Sequence, residues 1–301
     1  MPHGNMLHDR FQKLHPKILC LYFAGVLLVS MLTMHPVFLG VSLAAAVSTH
    51  ALLRGGRATG RAILGLLPVA LLIVGMNLLF QHAGVTLLWY LPNGNPVTRE
   101  AILYGVATAG MFAATFLWAA CYQAVVTAEK FRDLLRGRLP AFSMLWVLAL
   151  RFVPRFYRRM RRIAAAQAQI GRGTEAGSPR ERLRNGARVF SIAMTWALED
   201  GIVTADSMRS RGYGAGRRSR FSRYRWGGRE RGAFWCLTIL LLGVLAAALG
   251  GAMRAVYYPA IRFAASPLLW VGAICYGEFC TFPLWTAGRE RMVWRKLRFE
   301  H

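Results

Sequence analysis

The stretch AILGLLPVALLIVGMNLLF, residues 62–80, runs for 19 residues without a charge. A helix needs about 20 apolar residues to cross hydrocarbon, where no backbone polar group can be left unpaired. Comparable charge-poor windows lie at about 18–34, 37–53, 101–122, 233–252 and 266–286, the first two shorter than the norm. Six such windows in 301 residues leave too little polar surface for a soluble protein with buried core helices. The composition agrees: 55% of residues are hydrophobic and 17% charged, against about 25% charged in soluble domains. The fold class predicted is an all-α, polytopic integral membrane protein with about six transmembrane helices.

The formal net charge is +25, and its distribution sets the topology, since Lys and Arg gather in cytoplasmic loops. With the N-terminus inside, residues 1–17, Arg54, Arg57, Arg61, residues 123–232 and residues 287–301 hold 35 of the 38 basic residues. Arg99, Arg254 and Arg262 fall outside, where Trp89-Tyr90 and Tyr257-Tyr258 are expected at the membrane interface. Both termini are predicted to be cytoplasmic. Three parts follow: an N-terminal membrane domain of about four spans (1–122), a cytoplasmic domain of long helices (123–232), and a C-terminal region of about two spans with a basic tail (233–301). The basic N-terminus resembles a signal peptide, but its apolar run is too long and lacks a small-x-small cleavage site, so a retained span is expected. Cysteines 20, 121, 236, 275 and 280 have no metal-ligand spacing and are expected as buried, reduced thiols.

Residues 123–232 carry 24 basic and 8 acidic residues, so function is sought there. Pro154 is expected to separate a helix over about 128–152 from one over about 155–171, because an interior proline removes a ladder bond. Gly171 and Gly173 mark the end of the second. Ser178 then offers an N-cap, Pro179 a first helical residue and Glu181 a capping box, starting a helix over about 179–210, with a possible bend at Gly201. Leu183, Ala187, Phe190, Met194 and Ala197 form an apolar stripe of helical period. Two consecutive helices thus end alike, at Gly171-Arg172-Gly173 and Ser210-Arg211-Gly212. Arginine in a last turn is favoured by the helix dipole, and a glycine after it takes the left-handed conformation at little cost.

LHPKIL (14–19), NLLFQHAGVTLLWYLPNGNPVTREAILYG (77–105), LALRFVPRF (148–156), AAAQAQIGRG (164–173) and ADSMRSRGYG (205–214) together resemble the transmembrane T component of energy-coupling factor transporters. That family includes the membrane subunits of cobalt and nickel importers and of vitamin importers. The resemblance runs from about residue 13 to 214. It implies a non-catalytic coupling subunit with no cofactor, joining two cytoplasmic ABC-type ATPases to a membrane substrate-binding subunit in a bacterial or archaeal cytoplasmic membrane. It implies that Arg172 and Arg211, backed by Gly173 and Gly212, insert into ATPase grooves. The family's common first motif residue is alanine, where this chain has Gly171 and Ser210; glycine in a helix costs up to about 1 kcal/mol relative to alanine. Leu183, Ala187, Phe190 and Met194 would pack on the other coupling helix, the substrate subunit or the chain's own core.

Two other classes were weighed. Arg209–Gly232 interleaves Arg, Gly and aromatics, a composition that suits anionic lipid or nucleic acid; lipid is favoured because the run immediately precedes a span, and nucleic acid is not an expected partner. An enzyme finds no support: there is no phosphate-binding GxxxxGK[ST] loop, and no His/Asp/Glu cluster has metal-ligand spacing. Glu199, Asp200 and Asp206 are expected to pair with arginines. Glu278 is an acid inside an apolar window, a candidate for a functional role or for pairing with a helix. His3, His8 and His15 suggest metal only weakly. The transported substrate is not written in the sequence.

Overall fold

A computed structural model of the chain describes residues 11, 14–81, 83–90, 96–127, 130–131, 133–134, 140–175, 177–216, 226–263 and 266–299, without the side chains of 140, 141, 143 and 287–299. Among the described residues there are eight long helices: α1 (Pro16–Leu32), α2 (Pro36–Arg54), α3 (Gly56–Phe80), α4 (Arg99–Val125), α5 (Pro140–Gln169), α6 (Pro179–Ser210), α7 (Gly228–Leu249) and α8 (Pro267–Phe299). Five are long and apolar enough to cross a membrane: α2, α3, α4, α7 and the Pro267–Thr286 part of α8. The 17-residue α1 is the shorter apolar helix, at the lower limit for spanning. The chain is an all-α, multi-pass membrane protein.

The chain divides into two compact units, one made of Met1–Phe131 with Tyr224–His301, the other of Arg132–Arg223. In the first unit the helices start and stop where the chemistry of their ends allows. His15-Pro16 and His35-Pro36 open α1 and α2 in the same way. The proline gives up no needed N–H, and the imidazole Nδ1 accepts from the backbone N–H of Lys17 at 3.2 Å or of Val37 at 3.3 Å. His15, weighed above as a metal ligand, is therefore a cap, and it also stands edge-on to Trp226 at 4.6 Å, with the Lys17 ammonium 5.2 Å from the same ring. His3 and His8 lie outside the described residues. Lys130, 4% exposed, donates to the Val125 carbonyl at 2.6 Å at the end of α4, and burial pushes its ammonium down to about 8.

The core joins α1, α2, α4, α7 and α8 around Ile18, Tyr22, Phe23, Phe38, Trp118, Tyr276 and Phe279. One group of polar side chains inside it is mutually paired, which offsets the cost of burial in a low dielectric. Ser42 Oγ accepts from Trp118 Nε1 at 3.1 Å and shares a hydrogen bond with Ser30 Oγ at 2.8 Å; Ser30 in turn meets Tyr276 OH at 3.1 Å. One cluster thereby ties α1, α2, α4 and α8. By contrast α3 buries only Thr59 and Leu66.

Two antiparallel hairpins that the sequence analysis did not anticipate join the spans. Leu87–Tyr90 pairs with Pro96–Thr98 between α3 and α4, and Ala255–Val256 with Arg262–Phe263 between α7 and α8. Trp89 and Tyr90 are exposed, as an interface role requires. Tyr257 is not: it is buried at 5% exposure, its hydroxyl donates to the Met34 carbonyl at 2.7 Å, and its ring packs on Tyr104 and Phe263. Tyr258 likewise packs its ring on Tyr104 and buries its hydroxyl. Both rings thus pack within the unit, unlike the exposed Trp89 and Tyr90. Of the cysteines, Cys121 and Cys280 are buried, Cys275 is half-buried, and Cys20 and Cys236 are exposed on their helices rather than buried.

The second unit holds α5 and α6, which pack on each other. Pro154 does not divide α5, which runs unbroken for 30 residues through it. An interior proline costs about 3 kcal/mol, and the helix continues through it while packing on α6. The expected start near residue 128 falls where only some residues are described, and the described helix begins at Pro140. Helix α6 has the predicted boundaries and runs unbroken past Gly201.

Removing the shared acceptor tests the internal cluster. Ser42→Ala strands the Trp118 N–H, and the unfolding midpoint in detergent should fall by an amount equivalent to about 1–2 kcal/mol; Ser48→Ala on the exposed side of α2 should leave it unchanged.

Candidate coupling site at two helix ends

The start of α6 is a capping box. Ser178 Oγ accepts from the Glu181 N–H at 3.4 Å, and the Glu181 carboxylate accepts from the Ser178 N–H at 2.9 Å. These bonds, the backbone one first, hold the Glu181 carboxyl below its ordinary range. Residues Asn185, Val189 and Ala193 are buried, one per turn on a single face, which turns that face to α5. Near the other end the Arg159 guanidinium of α5 forms an ion pair with Asp200 and lies 4.2 Å over the Trp196 ring. Of the acids expected to pair with arginines, Asp200 does so.

Leu183, Ala187, Phe190 and Met194 all lie on the exposed side; Leu183 is 76% exposed, Phe190 54% and Met194 48%. The stripe is therefore not what joins the two helices within this chain. Leu198, Ile202 and Val203 extend the exposed apolar surface along α6, and Leu145, Leu150 and Val153 do the same on α5.

The two helix ends share a reversal. At the end of α5 the Arg172 N–H donates to the Gln167 carbonyl at 2.9 Å and the Gly171 N–H to the Ala168 carbonyl at 3.1 Å, with Gly171 at φ +76°. At the end of α6 the Tyr213 N–H donates to the Met208 carbonyl at 3.0 Å and the Gly212 N–H to the Arg209 carbonyl at 3.0 Å, with Gly212 also at φ +76°. Each is a long bond back over a left-handed glycine, which satisfies carbonyls that the helix leaves free.

The register differs by two residues. In α6 the left-handed Gly212 follows Arg211, as the sequence predicted. In α5 the left-handed Gly171 precedes Arg172, so the expectation that the glycine behind the arginine reverses the chain does not hold there. Arg172 stands beyond the turn, whereas Arg211 caps the helix itself. Gly171 consequently carries no helix-interior penalty; it occupies the position where an alanine would be strained. Ser210, by contrast, is the last helical residue, and its Oγ donates to the Ser207 carbonyl at 3.0 Å.

Both arginines are exposed. Gly173 is held from below: its carbonyl accepts from Asn185 Nδ2 at 3.1 Å. Sequence reasoning missed Asn185, and the signal available was an amide on the otherwise apolar inner face of α6. Among the described residues no group of three or more His, Cys, Asp or Glu could hold a metal ion. The arrangement offers two protruding guanidiniums on braced helix ends, suited to bidentate pairing with a carboxylate.

Residues 10–223 match the family described as CbiQ, cobalt transport protein. No curated protein matches the chain.

Two outcomes test the helix ends. Gly171→Ala should destabilise the end of α5 by about 1–2 kcal/mol, from backbone conformation alone, since nothing lies within 4 Å of a Cβ placed there; Ser210→Ala should not destabilise α6. Hydrogen exchange of the last turns reads both. The depressed Glu181 carboxyl sets a sign with pH: its stabilisation is present above the ordinary carboxylate range and is lost as pH falls through the lower folded-state value, so exchange at residues 180–184 should quicken in acid, and Glu181→Gln should flatten that response.

Proposed function

The chain belongs to the CbiQ family of cobalt transport proteins, and on that premise we propose that it is the coupling T subunit of an ATP-driven energy-coupling factor importer. The family belongs to transporters that work with ATPases and substrate-binding membrane subunits. The observation that carries the proposal is the pair of consecutive helices, α5 and α6, each closed by a left-handed glycine beside an exposed arginine. Arg172 and Arg211, with Gly171, Gly173, Ser210 and Gly212 shaping their turns, dock on two ABC-type ATPases. The exposed stripe of Leu183, Ala187, Phe190 and Met194 receives the substrate-binding membrane subunit. Cobalt is the cargo that the family description favours, among the metal ions and vitamins left open by the residues. The charge distribution supports placing residues 123–232 and both termini on the cytoplasmic side of a bacterial or archaeal cytoplasmic membrane.

The alternative, a basic segment at Arg209–Gly232 that binds anionic lipid or nucleic acid, rests on residues 217–225 that lie outside the described set. It supplies no role for the paired helix ends.

The double variant Arg172→Ala, Arg211→Ala decides. Each desolvated interfacial arginine is worth about 2–5 kcal/mol, so co-purification with the co-expressed ATPases should fall by more than about tenfold and cobalt uptake should cease, while membrane insertion is unchanged. Unimpaired uptake by that variant sinks the proposal.

A further inference from the structure

Glu278 is the only Asp, Glu, Lys or Arg in the six apolar windows 18–34, 37–53, 62–80, 101–122, 233–252 and 266–286. It lies about 16 Å along α8 from Pro267 and about 12 Å from Thr286, at 1.5 Å per residue. A side chain with two methylenes is too short to carry its carboxylate from there to either interface. Ionisable groups inside spans are costly, and they ordinarily turn inward to a partner. This one turns outward.

The inner face of α8 carries Leu269, Ala273, Tyr276, Phe279 and Cys280, all buried. Glu278 is exposed on the opposite side, in line with Val271 and Ile274, at 55% and 65% exposure. Among the described residues no hydrogen bond or ion pair reaches its carboxylate; its backbone carbonyl accepts from Thr281 Oγ1 at 3.3 Å. The chain's own windows hold no Lys or Arg at this depth, so any counter-charge comes from another molecule. Helix α8 also lies beyond residues 10–223 that match the family, so the feature belongs to this chain's own C-terminal region.

We propose that the outer face of α8, centred on Glu278 and flanked by Val271 and Ile274, is a docking surface for a transmembrane helix of a partner protein that carries a basic side chain near its midpoint. The carboxylate fixes depth and rotation by charge pairing, and the apolar flanks supply close packing. Identifying that partner with the substrate-binding membrane subunit rests on the function proposed above; the surface itself does not.

The full chain, dye-labelled and reconstituted in phosphatidylcholine vesicles, is titrated with a synthetic spanning helix of about 21 leucine and alanine residues bearing one central lysine. Energy transfer should report association at least about tenfold tighter than for the same helix with leucine at that position. Glu278→Leu should abolish the difference, whereas Ile274→Leu should preserve it. Equal association of the two helices, or an unchanged difference in Glu278→Leu, overturns the proposal. Glu278→Leu should also leave the detergent unfolding midpoint unchanged or raised; a lowered midpoint overturns it too, by assigning the carboxylate to internal packing. In co-expression with the ATPases and the substrate-binding subunit, Glu278→Leu should lose the membrane subunit while keeping the ATPases. A wild-type chain that captures no ATPase counts against the coupling function and leaves the peptide result standing.

Discussion

Hydrocarbon leaves no room for an unpaired polar group, and that constraint orders the first unit of this protein. Apart from Glu278, the charges bordering the spans sit at helix ends, from Lys17 and Arg54 to Arg99 and Arg229. Hydroxyls within the spans find carbonyls one turn back, as Thr108 does on Tyr104, Thr115 on Met111 and Thr238 on Phe234. The Tyr22 hydroxyl reaches the Cys280 carbonyl on another helix at 3.0 Å. The Ser30, Ser42, Trp118 and Tyr276 cluster satisfies four helices at once, so the same bonds that remove a desolvation cost also set how those helices meet.

The second unit obeys a different economy. Its two helices meet along a narrow seam of small or polar residues, Asn185, Val189 and Ala193, supplemented by the Arg159 contacts to Asp200 and Trp196. Such a pair cannot bury its own apolar surface, and large side chains remain exposed along both helices. The hydrogen bond from Asn185 to Gly173 sits at a tip rather than along the shaft.

Much of this was legible in the sequence because the relevant signals are long or local. Charge-free windows marked every apolar helix, and Ser178, Pro179, Glu181 and Gly212 marked both ends of α6. What was not legible depended on contacts between elements. Pro154 argued for a break, yet the helix continues through it while packing on α6. That Tyr257 and Tyr258 pack on Tyr104 could not be read from the sequence, because a hairpin brings them there. The apolar period at Leu183 to Met194 described an amphipathic helix correctly but could not say which face looked inward, because small Ala193 and polar Asn185 occupy the buried side. The repeated Arg-Gly pair suggested identical ends, whereas the hydrogen bonds close one turn on the residue before the arginine.

That two-residue offset has a consequence for symmetry. Two identical grooves related by a twofold axis would meet unlike objects: one arginine on a strand already leaving its helix, the other on the helix cylinder itself. Two such partners could not both be engaged in the same pose: one would hold a turn braced by Asn185, the other the last turn of a helix. Any response to identical partners would then be asymmetric, even when the partners themselves are symmetric.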